Sequence, residues 1–295
     1  MSGTLALVGG GEFTEGCTFD AGLLEVSGAS EVLVLPTGAA YEHPHRSVEQ
    51  AVSWFDRLGV AARGLDVLGR PDALDPANVE AVAASRFTYL VGGSPMHLRS
   101  VLKDSPVWEA LAAAWRQGGV LAGSSAGAMV LCDPMVDPRG GAFTLGLGLL
   151  SGLAVIPAHD TWSEDAAHRT LRMSPPGLVL AGIDERTALI RAGDGTWRAE
   201  GAGQVVVFQG GKSTDLTALP AWSTETAYVG SGGWTGGTPD RGWLVGWLVG
   251  RPAYQASVMV TDSMLMLDDG TPVPSSSSAM ACSTSRPSVV RPNTT

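Results

Sequence analysis

The chain reads as an α/β protein: a mostly parallel sheet with helices on both faces, followed by an irregular C-terminal extension. Three observations predict this. Short apolar runs alternate with segments of helical periodicity over the first two-thirds of the 295 residues. Most of these runs end in a glycine-containing turn before the next helical segment, as crossover connections between parallel strands do. The composition, 44% hydrophobic and 16% charged, is that of a chain able to bury a sizeable core.

The elements follow in order. Leu5–Val8 is a strand ending in Gly9-Gly10-Gly11, and Val32–Leu35 is a strand ending in Pro36-Thr37-Gly38. Val48, Val52, Phe55 and Leu58 recur at helical spacing. Arg63–Val67 reads as a third strand. Asp75 followed by Pro76 is an N-cap with proline at the first helical position, and Val79, Val82 and Ala83 continue that helix. Phe87–Val91 is a strand ending in Gly92-Gly93. Leu98–Leu102 and Val107–Trp115 are helical, Val120–Ala122 is a strand, and Ser125–Leu131 starts a helix. Leu153–Ile156, Val179–Ile183 and Thr187–Ile190 read as strands, and the polar segment Ser163–Arg172 as an exposed helix. In such sheets the active site lies beyond the carboxyl ends of the strands. The glycine turns at 9–11, 36–38, 92–93 and 123–127 are therefore expected on one edge.

Residues 1–211 are expected to form this domain. Residues 212–295 lose the alternation and read as a low-complexity extension, largely irregular or disordered. Glycine and tryptophan cluster between Tyr228 and Trp247, and serine, threonine and proline crowd the segment after Thr271. Val258–Leu267 is a lone strand candidate there.

Charge and cysteine usage narrow the function classes. The net charge of −10, from 29 acidic against 19 basic residues, argues against a nucleic-acid partner, which needs a basic stripe. Cys17, Cys132 and Cys282 are too far apart in sequence for a CxxC site and do not resemble a disulfide framework, so a reduced cytoplasmic setting is expected. The start, MSGTLALVGGGEF, lacks the charged and apolar regions of a signal peptide. No apolar run reaches the length of a membrane span, GWLVGWLVG at Gly242–Gly250 being far too short. No HExxH, P-loop or GxGxxG fingerprint is present, so neither a metal nor an organic cofactor is expected. A homodimer is a common state for such sheets.

The sharpest chemical signal is Gly123-Ser124-Ser125-Ala126-Gly127, a G-x-S-x-G placed between a strand and a helix. The glycines permit a sharp, crowded turn that lifts Ser125 to the top of the sheet, and the Ala126 N–H becomes a candidate oxyanion donor. The Gly92-Gly93-Ser94 turn offers a second donor at Gly93, with Ser94 placed to contact substrate. A serine nucleophile needs a base. Of His43, His45, His97, His159 and His168, His159 lies just past a strand's carboxyl end, on the edge expected for Ser125. His43 and His45 flank Pro44 in a loop bordering the same cleft. Asp184-Glu185 sits between two apolar strands, a costly place for carboxylates unless paired. Glu185 is placed to orient His159, and Asp160 is a rival acid.

The order VGGGE (8–12), VGG (91–93), AGSSAGAMV (122–130), GLGLL (146–150), a strand before His159 and AGIDERTALI (181–190) resembles the serine peptidase family of dipeptidase E and cyanophycinase. That family belongs to the class I glutamine-amidotransferase-like architecture, and the resemblance runs over residues 4–211. It implies a Ser125–His159–Glu185 triad and a serine-type peptidase that cleaves a small peptide or isopeptide amide through an acyl-enzyme. The chain departs from cyanophycinases at Pro157-Ala158 before the histidine and at Ser94-Pro95 after the glycine turn. An inactive relative that binds a small ligand or protein partner is the alternative reading. A carboxylesterase fits the Ser…His…Glu order poorly, and a glutamine amidotransferase requires cysteine at the elbow.

Overall fold

The computed structural model describes residues 2–220. The expected strand at Val258–Leu267 and most of the expected extension lie outside the described residues. The central sheet has seven strands: β1 (Leu5–Val8), β2 (Glu31–Leu35), β3 (Ala61–Gly64), β4 (Phe87–Leu90), β5 (Val120–Ser124), β12 (Thr187–Arg191) and β13 (Trp197–Gly201), in the spatial order β13-β12-β1-β5-β4-β2-β3. Strands β1 to β5 are mutually parallel, while β12 runs antiparallel to β1 and β13 antiparallel to β12.

The period of two along these strands sorts their side chains to two faces. Leu5, Leu7, Leu33, Leu35, Leu90 and Leu121 enter one core, together with residues of α3 (Pro76–Ala83), α4 (Pro95–Leu102), α5 (Pro106–Arg116) and α6 (Ala126–Leu131). Ala6, Val8, Val32, Val34, Phe87, Tyr89, Val120 and Ala122 enter the other, with α1 (Phe19–Ser27) and α2 (Pro44–Arg57). Both faces are buried, so the strands read as unbroken apolar runs.

Local signals place several helices. The Asp75 side chain accepts from the Ala77 N–H at 2.9 Å, with Pro76 opening α3. Ser94 caps α4 and Ser105 caps α5 in the same way. In α2 the helix stands but its face turns. Ala51, Trp54 and Phe55 are buried, with Val48 and Leu58 packed beside them, while Val52 is exposed. The Trp54 indole reaches inward to Asp20 on α1, on the same face as Ala51 and Phe55.

Four short strands, β6 (Cys132–Asp133), β7 (Met135–Val136), β8 (Phe143–Thr144) and β9 (Leu150–Ser151), lead to a second sheet. This sheet pairs β10 (Leu153–Pro157) in parallel with β11 (Val179–Ile183), after the intervening helix α7 (Glu164–Met173). It continues antiparallel through β14 (Val205–Gln209) and β15 (Lys212–Thr214). The folded chain thus runs past the expected boundary at residue 211: β15 pairs with β14, and Leu219 is buried in the core. No helix among the described residues is long and apolar enough to cross a membrane.

Asp20 is a buried carboxylate on α1. Its Oδ2 accepts from Trp54 Nε1 at 2.8 Å, and among the described residues neither its Oδ1 nor the nearby Tyr89 hydroxyl has a partner. Burial pushes the Asp20 carboxyl up to about 7. An unfolded aspartate titrates near pH ~3.9. Between those values the folded chain holds the extra proton, so this residue's contribution to stability falls as pH rises from about 4 to 7. Asp20→Asn should flatten that dependence. Urea unfolding at pH 5 and pH 8 is expected to show a wild-type loss on the order of 2 kcal/mol that the variant lacks. Equal losses in both proteins would place the titrating group elsewhere.

Candidate active site

The expected gathering of glycine turns is present. A cleft of about 260 Å³ opens at the carboxyl ends of β1, β2, β4 and β5, lined by Gly9–Gly11, Ala39, Gly92, Gly93, Ser125, Ala158 and Glu185, among others. Ser125 connects β5 to α6 with φ 48° and ψ −107°, a conformation that costs a non-glycine residue on the order of 1–3 kcal/mol. Its N–H donates to Val8 O at 2.9 Å, and its C=O accepts the Met129 N–H at 3.0 Å. These two bonds hold the backbone in the strained geometry. Both motif glycines are close-approach positions. A Cβ on Gly123 would lie 2.6 Å from the Gly127 carbonyl carbon, and one on Gly127 would lie 2.5 Å from Leu90 O.

The N–H groups of Gly93 and Ala126 donate to no group among the described residues. The hydroxyl of Ser94 accepts from the His97 N–H at 3.3 Å and caps α4. His159 opens a single 3₁₀ turn just past β10. Its ring lies over Gly182 of β11, where a Cβ would meet Cδ2 at 2.5 Å and Cγ at 2.7 Å. Phe208 of β14 packs against the ring at a centroid distance of 5.8 Å. Among the described residues it is the one histidine with a carboxylate within ion-pair distance. His43 and His45 are exposed at the start of α2, His168 is exposed on α7, and His97 Nε2 meets Leu68 O at 2.8 Å.

The acid nearest His159 is Asp184, whose Oδ1 stands 3.6 Å from Nδ1, an ion-pair distance longer than a hydrogen bond. Asp184 is fixed by two bonds to Gln204: its N–H donates to Gln204 O at 3.1 Å and its Oδ2 accepts the Gln204 N–H at 2.8 Å. Glu185 lies on the other side of the turn. Its Cγ and the Ser125 Cβ both lie 3.9 Å from the point where a Cβ on Gly10 would sit. Asp160, the rival acid, accepts the Glu185 N–H at 3.0 Å and so shapes that turn. The fold thus brings Ser125 and Glu185 to one cleft and His159 to Asp184. No hydrogen bond joins Ser125 to His159 among the described residues. Such bonds tighten in many enzymes only when substrate is bound.

The sequence singles out the Asp184-Glu185 pair but favours Glu185 as the orienting acid, since adjacent acids on a turn cannot be ranked without the register, and it assigns nothing to Glu12. Glu12 follows the singled-out glycine turn and lines the cleft. Among the described residues no group of three or more His, Cys, Asp or Glu side chains could hold a metal ion.

A strained serine at a strand–helix elbow, on a mostly parallel sheet with helices on both faces, is an arrangement that suits a serine-type peptidase. The chain belongs to peptidase family S51, whose model matches residues 5–197. A cyanophycinase of Nostoc sp. (strain PCC 7120 / SAG 25.82 / UTEX 2576) is 28% identical over 204 residues, 65% of this chain and 67% of its own. A cyanophycinase of Synechococcus elongatus is 29% identical over 168 residues, 52% of this chain and 51% of its own. The crystal structure of a peptidase from an acI-B1 Actinobacterium superposes with TM-score 0.66 at 33% identity, covering 76% of this chain and 97% of that one. A putative peptidase E protein from Listeria monocytogenes EGD-e shares the fold, with TM-score 0.52 at 16% identity over 69% of this chain and all of its own.

Gly182 has no side chain because the imidazole occupies that space. Gly182→Ala should push His159 aside while leaving the strand intact. The expected result is a fall of about 100-fold in labelling by a fluorophosphonate, larger than the modest loss of stability that overpacking this buried position brings. Labelling at the wild-type rate would mean that the seat of the His159 ring does not affect the reactivity of the labelled residue.

Proposed function

We propose that this peptidase hydrolyses an amide bond of a small peptide or isopeptide through Ser125, His159 and a carboxylate of the Asp184-Glu185 pair, by way of an acyl-enzyme. The observation that carries this reading is the strained backbone of Ser125 at the floor of the glycine-lined cleft. Strain of this kind persists only where the surroundings over-determine it, and it clusters at working sites. The small cleft supports a short substrate rather than a folded protein.

In this reading Ser125 Oγ attacks the amide carbonyl while His159 takes its proton. The imidazolium then returns the proton to the leaving amine, and water repeats the sequence on the acyl-enzyme. The free N–H groups of Gly93 and Ala126 stabilise the oxyanion. The resemblance to dipeptidase E and cyanophycinase supports Glu185 as the third member, and the 3.6 Å approach to Nδ1 supports Asp184. The relatives bear the name cyanophycinase. The Pro157-Ala158 and Ser94-Pro95 sequences, where this chain departs from the cyanophycinase pattern, support a substrate other than that of those relatives.

A fluorophosphonate should label Ser125, as mapped on the digested protein. Ser125→Ala should abolish that labelling and His159→Ala should slow it by about three powers of ten. A well-folded wild type that takes no label would favour the ligand-binding alternative. Asp184→Asn and Glu185→Gln, compared by labelling rate, assign the acid. The orienting carboxylate is expected to cost about 100-fold or more, and its neighbour less than about 10-fold. Equal small losses would remove the pair from the mechanism.

A further inference from the structure

Glu12 is the residue after the Gly9-Gly10-Gly11 turn, and its carboxylate reaches two other strand ends. Oε2 accepts from the Ser124 hydroxyl at 2.7 Å, and Oε1 accepts from the Gly92 N–H at 3.1 Å. Ser124 is the last residue of β5 and immediately precedes the nucleophile. Gly92 lies two residues past β4 and immediately precedes Gly93, the proposed oxyanion donor. The contacts span 112 and 80 residues of sequence, so nothing local imposes them. Space at the junction is closed: a Cβ on Gly92 would come within 3.3 Å of both Glu12 Oε1 and Ser125 Cβ.

We infer that Glu12 is a positioning residue, a carboxylate clamp that holds the nucleophile and the Gly93 oxyanion donor in register with each other. The inference rests on the proposed role of Ser125. A backbone N–H can only donate, so the Gly92 arm requires an acceptor, and the Ser124 hydroxyl donates to one as well; a carboxylate offers two acceptor oxygens, one for each arm. A Glu12 clamp acts on the reacting geometry. Its loss therefore slows the chemical step and leaves ligand affinity almost unchanged. Glutamine retains the clamp, because its amide oxygen accepts from Gly92 and its NH₂ donates to Ser124 once that hydroxyl turns.

The test uses the full chain and a fluorophosphonate, with labelling rates measured across probe concentrations to separate the limiting rate (kinact) from the half-saturating concentration (KI). Glu12→Ala is expected to lower kinact by about 10–100-fold with KI within about threefold of wild type. Glu12→Gln should recover kinact to within about threefold. Ser124→Ala, which removes only one arm, should cost about 3–10-fold in kinact and decides the matter if Glu12→Ala does not fold. An unchanged kinact in Glu12→Ala, an effect confined to KI, a glutamine variant no better than alanine, or an unaffected Ser124→Ala would each overturn the clamp. Ser125→Ala serves as the control: labelling that survives it defeats the nucleophile assignment itself, whereas its loss there with normal labelling in the Glu12 variants defeats the clamp alone.

Discussion

The site depends on the backbone of the turn at Gly9-Gly10-Gly11. Gly9 N–H donates to Thr187 O at 2.9 Å, Gly9 O accepts from Ala158 N–H at 2.7 Å, and Gly10 O accepts from Arg186 N–H at 2.7 Å. Just before it, Val8 O takes the N–H of Ser125. One turn therefore binds the segments that carry the serine, the histidine and the acidic pair. A side chain at Gly9 has no space, because its Cβ would run into the carbonyl oxygens of Ile183 and Asp184. The chain segments approach through main-chain groups, which must find partners once buried.

The antiparallel edge of the main sheet follows from the same requirement. A further crossover helix after β11 would have carried the next strand away from this end of the sheet. Instead the chain reverses at Asp184-Glu185-Arg186 and returns as β12 against β1. The reversal delivers two carboxylates to the edge where the parallel strands end. Asp184 and Glu185 then leave the turn in different directions, one held by Gln204 beneath the imidazole and the other lining the serine cleft. Two neighbouring residues of like charge thereby come to serve different surroundings.

Polar groups are distributed unevenly around this centre. Glu12, Asp160 and Asp184 accept hydrogen bonds from backbone or hydroxyl donors, and each joins segments distant in sequence. Asp20 is the contrast: it is deeply buried and, among the described residues, has one indole donor and one oxygen without a partner. Its raised proton affinity is the consequence of taking a carboxylate out of water with too few donors.

The sequence by itself determined the order of the parallel elements, the Asp75 cap, the serine elbow and the edge on which the glycine turns meet. These rest on local chemistry: unbroken apolar runs, proline after an N-cap, and glycines where backbones approach closely. Helix α1 and strands β13 to β15 escaped it, because Gly22 interrupts the apolar pattern of α1 and the half-exposed strands are defined by their hydrogen-bonded neighbours. Only the tertiary structure decided that Val52 faces outward, that Ser94 caps a helix, that Asp184 rather than Glu185 stands beside His159, and that Glu12 reaches two other strand ends. Each of those outcomes turns on the direction of a side chain relative to a segment far away in sequence. That direction is set by strand register and by packing, and neither is written in any short stretch of residues.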